Sequence, residues 1–285
     1  MALKIWMDEG LVDEKDAKVS VFDHGYLYGD GVFEGIRFYN GKILRETEHL
    51  VRLYESAKFI RMEIPMPIEQ MREAMHTTIK ANALDNGYIR LVVSRGHGNL
   101  GLNPFTCKKS MVVIIASSIQ LYPQELYDKG MKVISSSYTR NAPQSVPPQV
   151  KSLNYLNNIL AKIEAIDNGV LEAIMYNAQG YVAEATGDNV FIIKNGVIYT
   201  PPVQSGSLTG ITRQLVIEIA EKQGYKVVEK NLTRFDLYTS DEFFLTGTAA
   251  EVIGVVNIDG RQVGDGKPGK ITKELKEKFF EYANS

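Results

Sequence analysis

The chain has 285 residues, 44% of them hydrophobic and 23% charged, an ordinary globular composition with enough length for one large or two smaller domains with real cores. Its 32 basic and 34 acidic residues are well mixed, for a net charge of −2; without a basic block nucleic acid is excluded as the main partner, and no apolar run is long enough to cross a bilayer. A single cysteine, Cys107, excludes an intrachain disulfide, and "MALKIWMDEG" turns acidic before a signal-peptide core can form, so the expected setting is cytoplasmic.

The first part reads as α+β. "KVSVFDHGYLYGDGVFEGIRFYNGKILR" alternates apolar and polar residues as strands do, with Asn40-Gly41 as a hairpin turn. Thr47 is placed to cap a helix whose apolar face is Leu50, Leu53, Tyr54, Ala57 and Ile60. Pro67 opens a second helix with Met71, Met75 and Ile79 at helical spacing. The strands "YIRLVVSR" and "MVVIIASS" follow. Between them, "GHGNLG" matches a dinucleotide fingerprint, but the next residues are Leu102, Asn103 and Pro104 instead of a helix start, so a pocket-shaping loop is the better reading.

The stretch "IQLYPQELYDKG", residues 119–130, reads as a linker. A strand "KVISSSY" and the loop "TRNAPQSVPPQV" lead to Lys151, read here as the entrance to a helix that buries Leu153, Leu156, Ile159, Leu160, Ile163 and Ile166. "LEAIMYNAQGYVAEATGDNVFIIKNGVIYTPP" then reads as four short strands. A helix from about Ile211 to Gln223, strands "KVVEKNL" and "DEFFLTG", a hairpin at Asp259-Gly260, and a last helix with Ile271, Leu275, Phe279 and Tyr282 on one side complete the chain.

Three features carry chemistry. "QSGSLTGITRQ" is rich in glycine and hydroxyls and feeds a helix, where free backbone N–H groups favour a phosphate; an ordinary cap by Ser207 or Thr209 is the alternative. A second such turn, "LTGTAAE", follows "DEFF". Lys151 follows a proline-rich approach that fixes its backbone, with the Tyr155 phenol one helical turn on; a solvated surface charge is the alternative. A phosphate site, an activated lysine and a phenol together suggest pyridoxal phosphate, whose ring nitrogen needs an anion beside it. Glu184, among small residues at a strand end, is the candidate, against a strand-end glutamate in solvent. The four histidines lie far apart and show no metal-ligand spacing, so no metal is expected.

The runs "YGDGVFEGIRFYNG", "EHLVRLYESAK", "YIRLVVSRG", "VKSLNYLNNILAKIEA", "GYVAEATGDNVF", "LTGITR" and "FLTGTAAEV" occur in this order over nearly the whole chain. Together they resemble the branched-chain amino acid aminotransferases among the fold-type IV pyridoxal-phosphate enzymes. The resemblance implies an α+β protein of two domains: a small α+β domain (1–118), a linker (119–130), and a larger α/β barrel-like domain (131–285) that binds pyridoxal 5′-phosphate. It implies that Lys151 carries the cofactor as a Schiff base and shuttles the proton between Cα and C4′. By the same resemblance Glu184 pairs with the pyridine nitrogen and Tyr155 with the phenolic oxygen. Arg52, Gly210, Ile211, Thr212 and Thr248 would bind the phosphate. Thr248, Ala249 and Tyr88 would hold the substrate α-carboxylate, Phe33, Gly35 and Arg37 line the side-chain pocket, and Arg90 receive the distal carboxylate of glutamate. Tyr28 and Leu102 would reach the neighbouring subunit's pocket, making a homodimer the minimal unit, with higher assembly open. The implied reaction is ping-pong transfer from leucine, isoleucine or valine to 2-oxoglutarate. Rivals on the same fold are a D-amino acid or (R)-amine transaminase and an aminodeoxychorismate lyase; a rival of another class is a non-catalytic pyridoxal-phosphate-binding protein.

Overall fold

The alternating stretch beginning at Gly31 forms a nine-residue strand in the computed structural model, which describes residues 2–285. The chain divides into two units. One contains the chain up to Ile119 together with Val150–Asn154; the other contains Gln120–Gln149 and Tyr155–Ser285.

In the first unit, β1 (Lys4–Met7), β2 (Gly10–Asp13), β3 (Gly31–Tyr39), β4 (Lys42–Ile43), β5 (Gly87–Ser94) and β6 (Met111–Ser117) form one antiparallel sheet in the order β2-β1-β6-β5-β3-β4. The period-two rule sorts its faces. Val32, Ile36, Ile89, Leu91, Val93, Val112 and Ile114 are fully buried and pack with Leu50 and Leu53 of α2 (Glu46–Phe59) and with Met71 and Met75 of α3 (Ile68–Ala81). The other face carries the cross-strand pairs Phe33–Val92, Gly35–Arg90 and Arg37–Tyr88.

Two expectations fail here for local reasons. Residues 24–28 are not strand but a short helix, α1 (His24–Tyr28), because the Asp23 carboxylate caps it, accepting from the N–H groups of Gly25 and Tyr26. Thr47 does not cap α2; the helix starts earlier, with Arg45 as N-cap in the left-handed region.

The second unit holds a nine-stranded mixed sheet: β7 (Met131–Thr139), β8 (Ala173–Tyr176), β9 (Val182–Ala185), β10 (Asn189–Lys194), β11 (Val197–Thr200), β12 (Val227–Glu229), β13 (Glu242–Gly247), β14 (Glu251–Ile258) and β15 (Arg261–Gln262). The order is β12-β11-β10-β13-β14-β7-β8-β9, with β15 beside β14. β9 ends that order yet turns directly into β10, where Ala185 N–H donates to Asp188 O at 2.7 Å, so the sheet curls back on itself. Helices α4 (Gln124–Lys129), α5 (Leu156–Asp167), α6 (Ile211–Lys222), α7 (Arg234–Tyr238) and α8 (Lys270–Ala283) accompany it. The expected linker thus contains a helix, and its Tyr122 is in the core. The last helix buries Thr272, Leu275, Phe279 and Ala283, while Tyr282 turns outward.

Two corrections bear on the site. The helix after the proline-rich loop starts at Leu156, not at Lys151. Residues 150–154 are extended along β3: Phe33 N–H donates to Lys151 O and Leu153 N–H donates to Gly31 O, both at 3.0 Å. Lys151 and Tyr155 are therefore not successive turns of one helix. The apolar stripe of α5 also faces outward. Leu156, Ile159, Ile163 and Ile166 are 48–67% exposed, and the buried side is Asn158, Ala161 and Ala165. Small residues let α5 lie close to β7 and β8, which leaves the large ones on the far side.

Candidate active site

In the first unit, backbone pairing with β3 carries Lys151 onto the face of Phe33, Gly35 and Arg37. Its ammonium sits 4.4 Å from the Phe33 ring centroid, where the ring quadrupole attracts a cation. Its N–H donates to Ser56 Oγ at 3.3 Å. Arg90 lies over the same ring, 4.6 Å from its centroid, and donates to Tyr88 Oη at 3.3 Å. A Cβ at position 35 would fall 1.8 Å from Tyr88 Oη, so only glycine lets that phenol cross β3. Phe33, Gly35, Arg37, Tyr88, Arg90 and Lys151 are thus brought together on one face. Tyr28 and Leu102 are not part of it. They are 37% and 79% exposed, and the Tyr28 hydroxyl donates to the carbonyl of Leu100 in the 96–102 loop.

Arg52 is buried on α2, where it meets a carboxylate that the motifs did not single out. Nε and Nη2 donate to the two oxygens of Glu34 at 2.7 and 2.8 Å, and His49 Nδ1 lies 2.8 Å from the same carboxylate. Glu34 alternates with Val32 and Ile36 on the core face, and a charge at an inward strand position is the signal that could have found it. Burial alone would raise its carboxyl, but Arg52 and then His49 outweigh burial and hold it at about 2. Burial, set against Glu34 and reinforced by the charges of Arg52 and Lys151, pushes His49 down.

This cluster makes stability acid-sensitive. Glu34 titrates below its ordinary 4.5, so its contribution is complete above that pH and disappears as pH falls towards about 2. The amount is about 3 kcal/mol. Denaturant unfolding between about pH 5 and pH 2.5 should show wild type losing that stability and Glu34→Gln losing much less; parallel losses would show that Glu34 is not the group responsible.

In the second unit, Glu184 is 5% exposed on β9, not a solvated strand end. Its Oε1 accepts from Arg140 Nε and lies 2.8 Å from Nη2; its Oε2 accepts from Leu208 N–H at 2.9 Å and Asn189 Nδ2 at 3.4 Å. Arg140 Nη1 donates to Asn158 Oδ1, and Asn158 Nδ2 donates to Thr186 O. Arg140, Asn158 and Asn189 were missed because they lie in an irregular loop and at element ends, where no periodicity marks them.

Gly210 is the N-cap of α6, Ile211 and Thr212 open the helix, and Gly210 supplies no side-chain cap. Ser207 does not supply the alternative cap, its Oγ having no hydrogen-bond partner. Ser207 Oγ and Thr246 Oγ1 are buried without a hydrogen-bond partner. Thr248 and Ala249 lie in the turn between β13 and β14. Tyr155 is the N-cap of α5. Two buried hydroxyls without a partner, a helix start with no acidic residue in its first turn, and a carboxylate paired with a buried arginine fit a phosphorylated pyridine cofactor. Among the described residues no His, Cys, Asp and Glu group could hold a metal ion, and no helix is long and apolar enough to cross a membrane.

The chain belongs to the family "Amino-transferase class IV", whose model matches residues 31–258. It is similar to a "Putative branched-chain-amino-acid aminotransferase" of Methanocaldococcus jannaschii, 52% identical over 97% of this chain and 95% of the relative. The structure of the Escherichia coli branched-chain amino acid aminotransferase superposes with a TM-score of 0.96 at 38% identity, covering 99% of this chain and 94% of that one. The T.th. branched-chain amino acid aminotransferase complexed with N-(5′-phosphopyridoxyl)-L-glutamate gives a TM-score of 0.94 at 40% identity, covering 100% and 95%.

Proposed function

We propose that this aminotransferase uses pyridoxal 5′-phosphate to move the amino group of L-leucine, L-isoleucine or L-valine to 2-oxoglutarate. The observation that carries the reading is the seating of Lys151: a fixed backbone presents its amine over Phe33, on the face that also holds Tyr88 and Arg90. When bound, the cofactor supplies an aldehyde and an electron-accepting ring. Lys151 would hold it covalently and, once free, would carry the proton between Cα and C4′ through its Nζ. Glu184, paired with Arg140 and the Leu208 N–H, would hold a proton on the ring nitrogen. Tyr155 would face the phenolic oxygen. The start of α6 (Gly210, Ile211, Thr212), with Arg52 and Thr248, would hold the phosphate. Thr248, Ala249 and Tyr88 would hold the α-carboxylate. Phe33, Gly35 and Arg37 would accept an aliphatic side chain, and Arg90 would receive the distal carboxylate of glutamate.

The similarity to proteins named branched-chain aminotransferases supports the substrate class, and the phosphopyridoxyl-glutamate ligand of the T.th. protein supports cofactor and glutamate. We further infer a cytoplasmic homodimer, supported by the exposed Tyr28, Leu100 and Leu102 and by the outward stripe of α5. The test is a panel of L-branched-chain amino acids, D-alanine and (R)-amines read by oxo-acid formation, with sedimentation of the active protein. Turnover confined to D-alanine or (R)-amines overturns the substrate; full activity in a monomer overturns the dimer.

A further inference from the structure

Three side chains of the second unit meet away from water and have no part in the scheme above: Tyr122, Glu172 and Asp188, all under 5% exposed. Tyr122 Oη lies 3.1 Å from Glu172 Oε2 and 3.1 Å from Asp188 Oδ2. A phenol has one proton, which it can share between the two carboxyls, but two full hydrogen bonds require it to donate to one and accept from the other. Accepting requires a protonated acid. Glu172 is the carboxyl that already collects donors: Oε1 accepts the N–H groups of Ala173 and Thr186, and Oε2 accepts from the Lys162 ammonium at 3.0 Å. With the phenol, four donors converge on its two oxygens. The proton belongs on Asp188, whose carboxyl is pushed up to about 7 by burial and then by the charge of Glu172, against the opposing Lys162 and the Tyr122 phenol.

The placement gives the proton a consequence. Asp188 closes the turn between β9, which carries Glu184, and β10. Glu172 pins the Thr186 N–H of that turn, and Asn158, itself held by Arg140, pins its carbonyl. Asp188 Oδ1 lies against Gly247, where a Cβ would be 1.9 Å away, and Gly247 leads into Thr248 and Ala249. The charged groups around it are Lys162 of α5, Glu172 before β8 and Glu184 of β9, with Glu251 of β14 opposite Gly247 in register.

We propose that Asp188 is a positioning residue that works as a neutral acid, its proton donated to Tyr122 to lock the β9–β10 turn and to keep a second negative charge away from the Gly247–Ala249 turn. This rests on the reading of Thr248 and Ala249 as the holders of the substrate α-carboxylate. As pH rises through neutrality the proton leaves, and the new charge repels that carboxylate. Stability follows the same sign: burial and the charge of Glu172 disfavour the ionised form, so the contribution of the neutral acid is full below the ordinary 3.8 and is lost as pH rises towards about 7.

The experiment compares holoenzyme and its Asp188→Asn variant, whose amide can still donate to Tyr122. Between about pH 6 and pH 8.5 the ratio of the wild-type KM for L-leucine to the variant's should climb on the order of tenfold, one charge's repulsion across a partly buried turn. Infrared difference spectra, taken without substrate, should show a protonated-carboxyl band at the lower pH that is absent from the variant and fades at the higher. A flat ratio, or no such band, overturns the proposal. Thr248→Val with an unchanged KM while the band persists would instead sink the carboxylate reading of the turn.

Discussion

Lys151→Ala should abolish transamination while leaving the protein folded, with kcat down about 10⁴-fold or more, since one substitution removes both the proposed covalent anchor and the proposed proton carrier. The fold should survive because the bonds that place this segment are backbone bonds: Lys151 O accepts from Phe33 N–H and Lys151 N–H donates to Ser56 Oγ. Neither needs the side chain. Lys151→Arg separates charge from chemistry. It keeps a cation within reach of the Phe33 ring, but a guanidinium stays protonated and can neither condense with an aldehyde nor accept a proton. Both variants should therefore be inactive and resist borohydride fixation of pyridoxal phosphate, with unfolding midpoints near wild type. Arg at 151 retaining more than a few per cent of wild-type kcat would show that another group moves the proton.

The first unit's sheet was legible in the sequence because each strand alternates cleanly: Ile89, Leu91 and Val93 face the core while Tyr88 and Arg90 face the other way. The same alternation groups Phe33, Gly35 and Arg37 on one side of their strand. It failed where a strand-like pattern met a capping residue, at Asp23, and where helical periodicity was taken for burial, on α5. A stripe of Leu156, Ile159, Ile163 and Ile166 shows that a helix is amphipathic; it does not say whether that side meets its own chain. The backbone at Lys151 was illegible for another reason. Val150–Asn154 pairs with a strand more than a hundred residues earlier, and no local propensity encodes such pairing. Lys151 and Glu184 were found as residue types in suggestive surroundings. The partners that hold them in position, Phe33, Arg140 and Asn158, come from long-range contacts.

Glu184 and Arg140 should show the second large effect, split between stability and rate. Each is under 10% exposed, and the pair is held by two N–H contacts to one carboxylate oxygen. Arg140→Met leaves a carboxylate buried with only the Leu208 N–H and the long Asn189 contact. Glu184→Gln leaves a guanidinium buried beside a neutral amide. Each single change should cost about 3–5 kcal/mol, because each strands a charge in a poorly solvated place. The double variant removes both charges together, so it should cost clearly less than the sum, a coupling visible in denaturant midpoints. Rate should not recover with stability. In the role proposed for Glu184, a neutral side chain cannot hold a proton on the cofactor's pyridine nitrogen, so kcat in Glu184→Gln and in the double variant should fall to the same level, on the order of 10²-fold or more below wild type. Arg140→Met should fall between them and wild type and decline further at low pH, where its unpaired carboxylate takes up a proton. If the double variant regained activity along with its stability, the pair would be scaffolding for β9, and the anion facing the cofactor nitrogen would have to be sought on another residue.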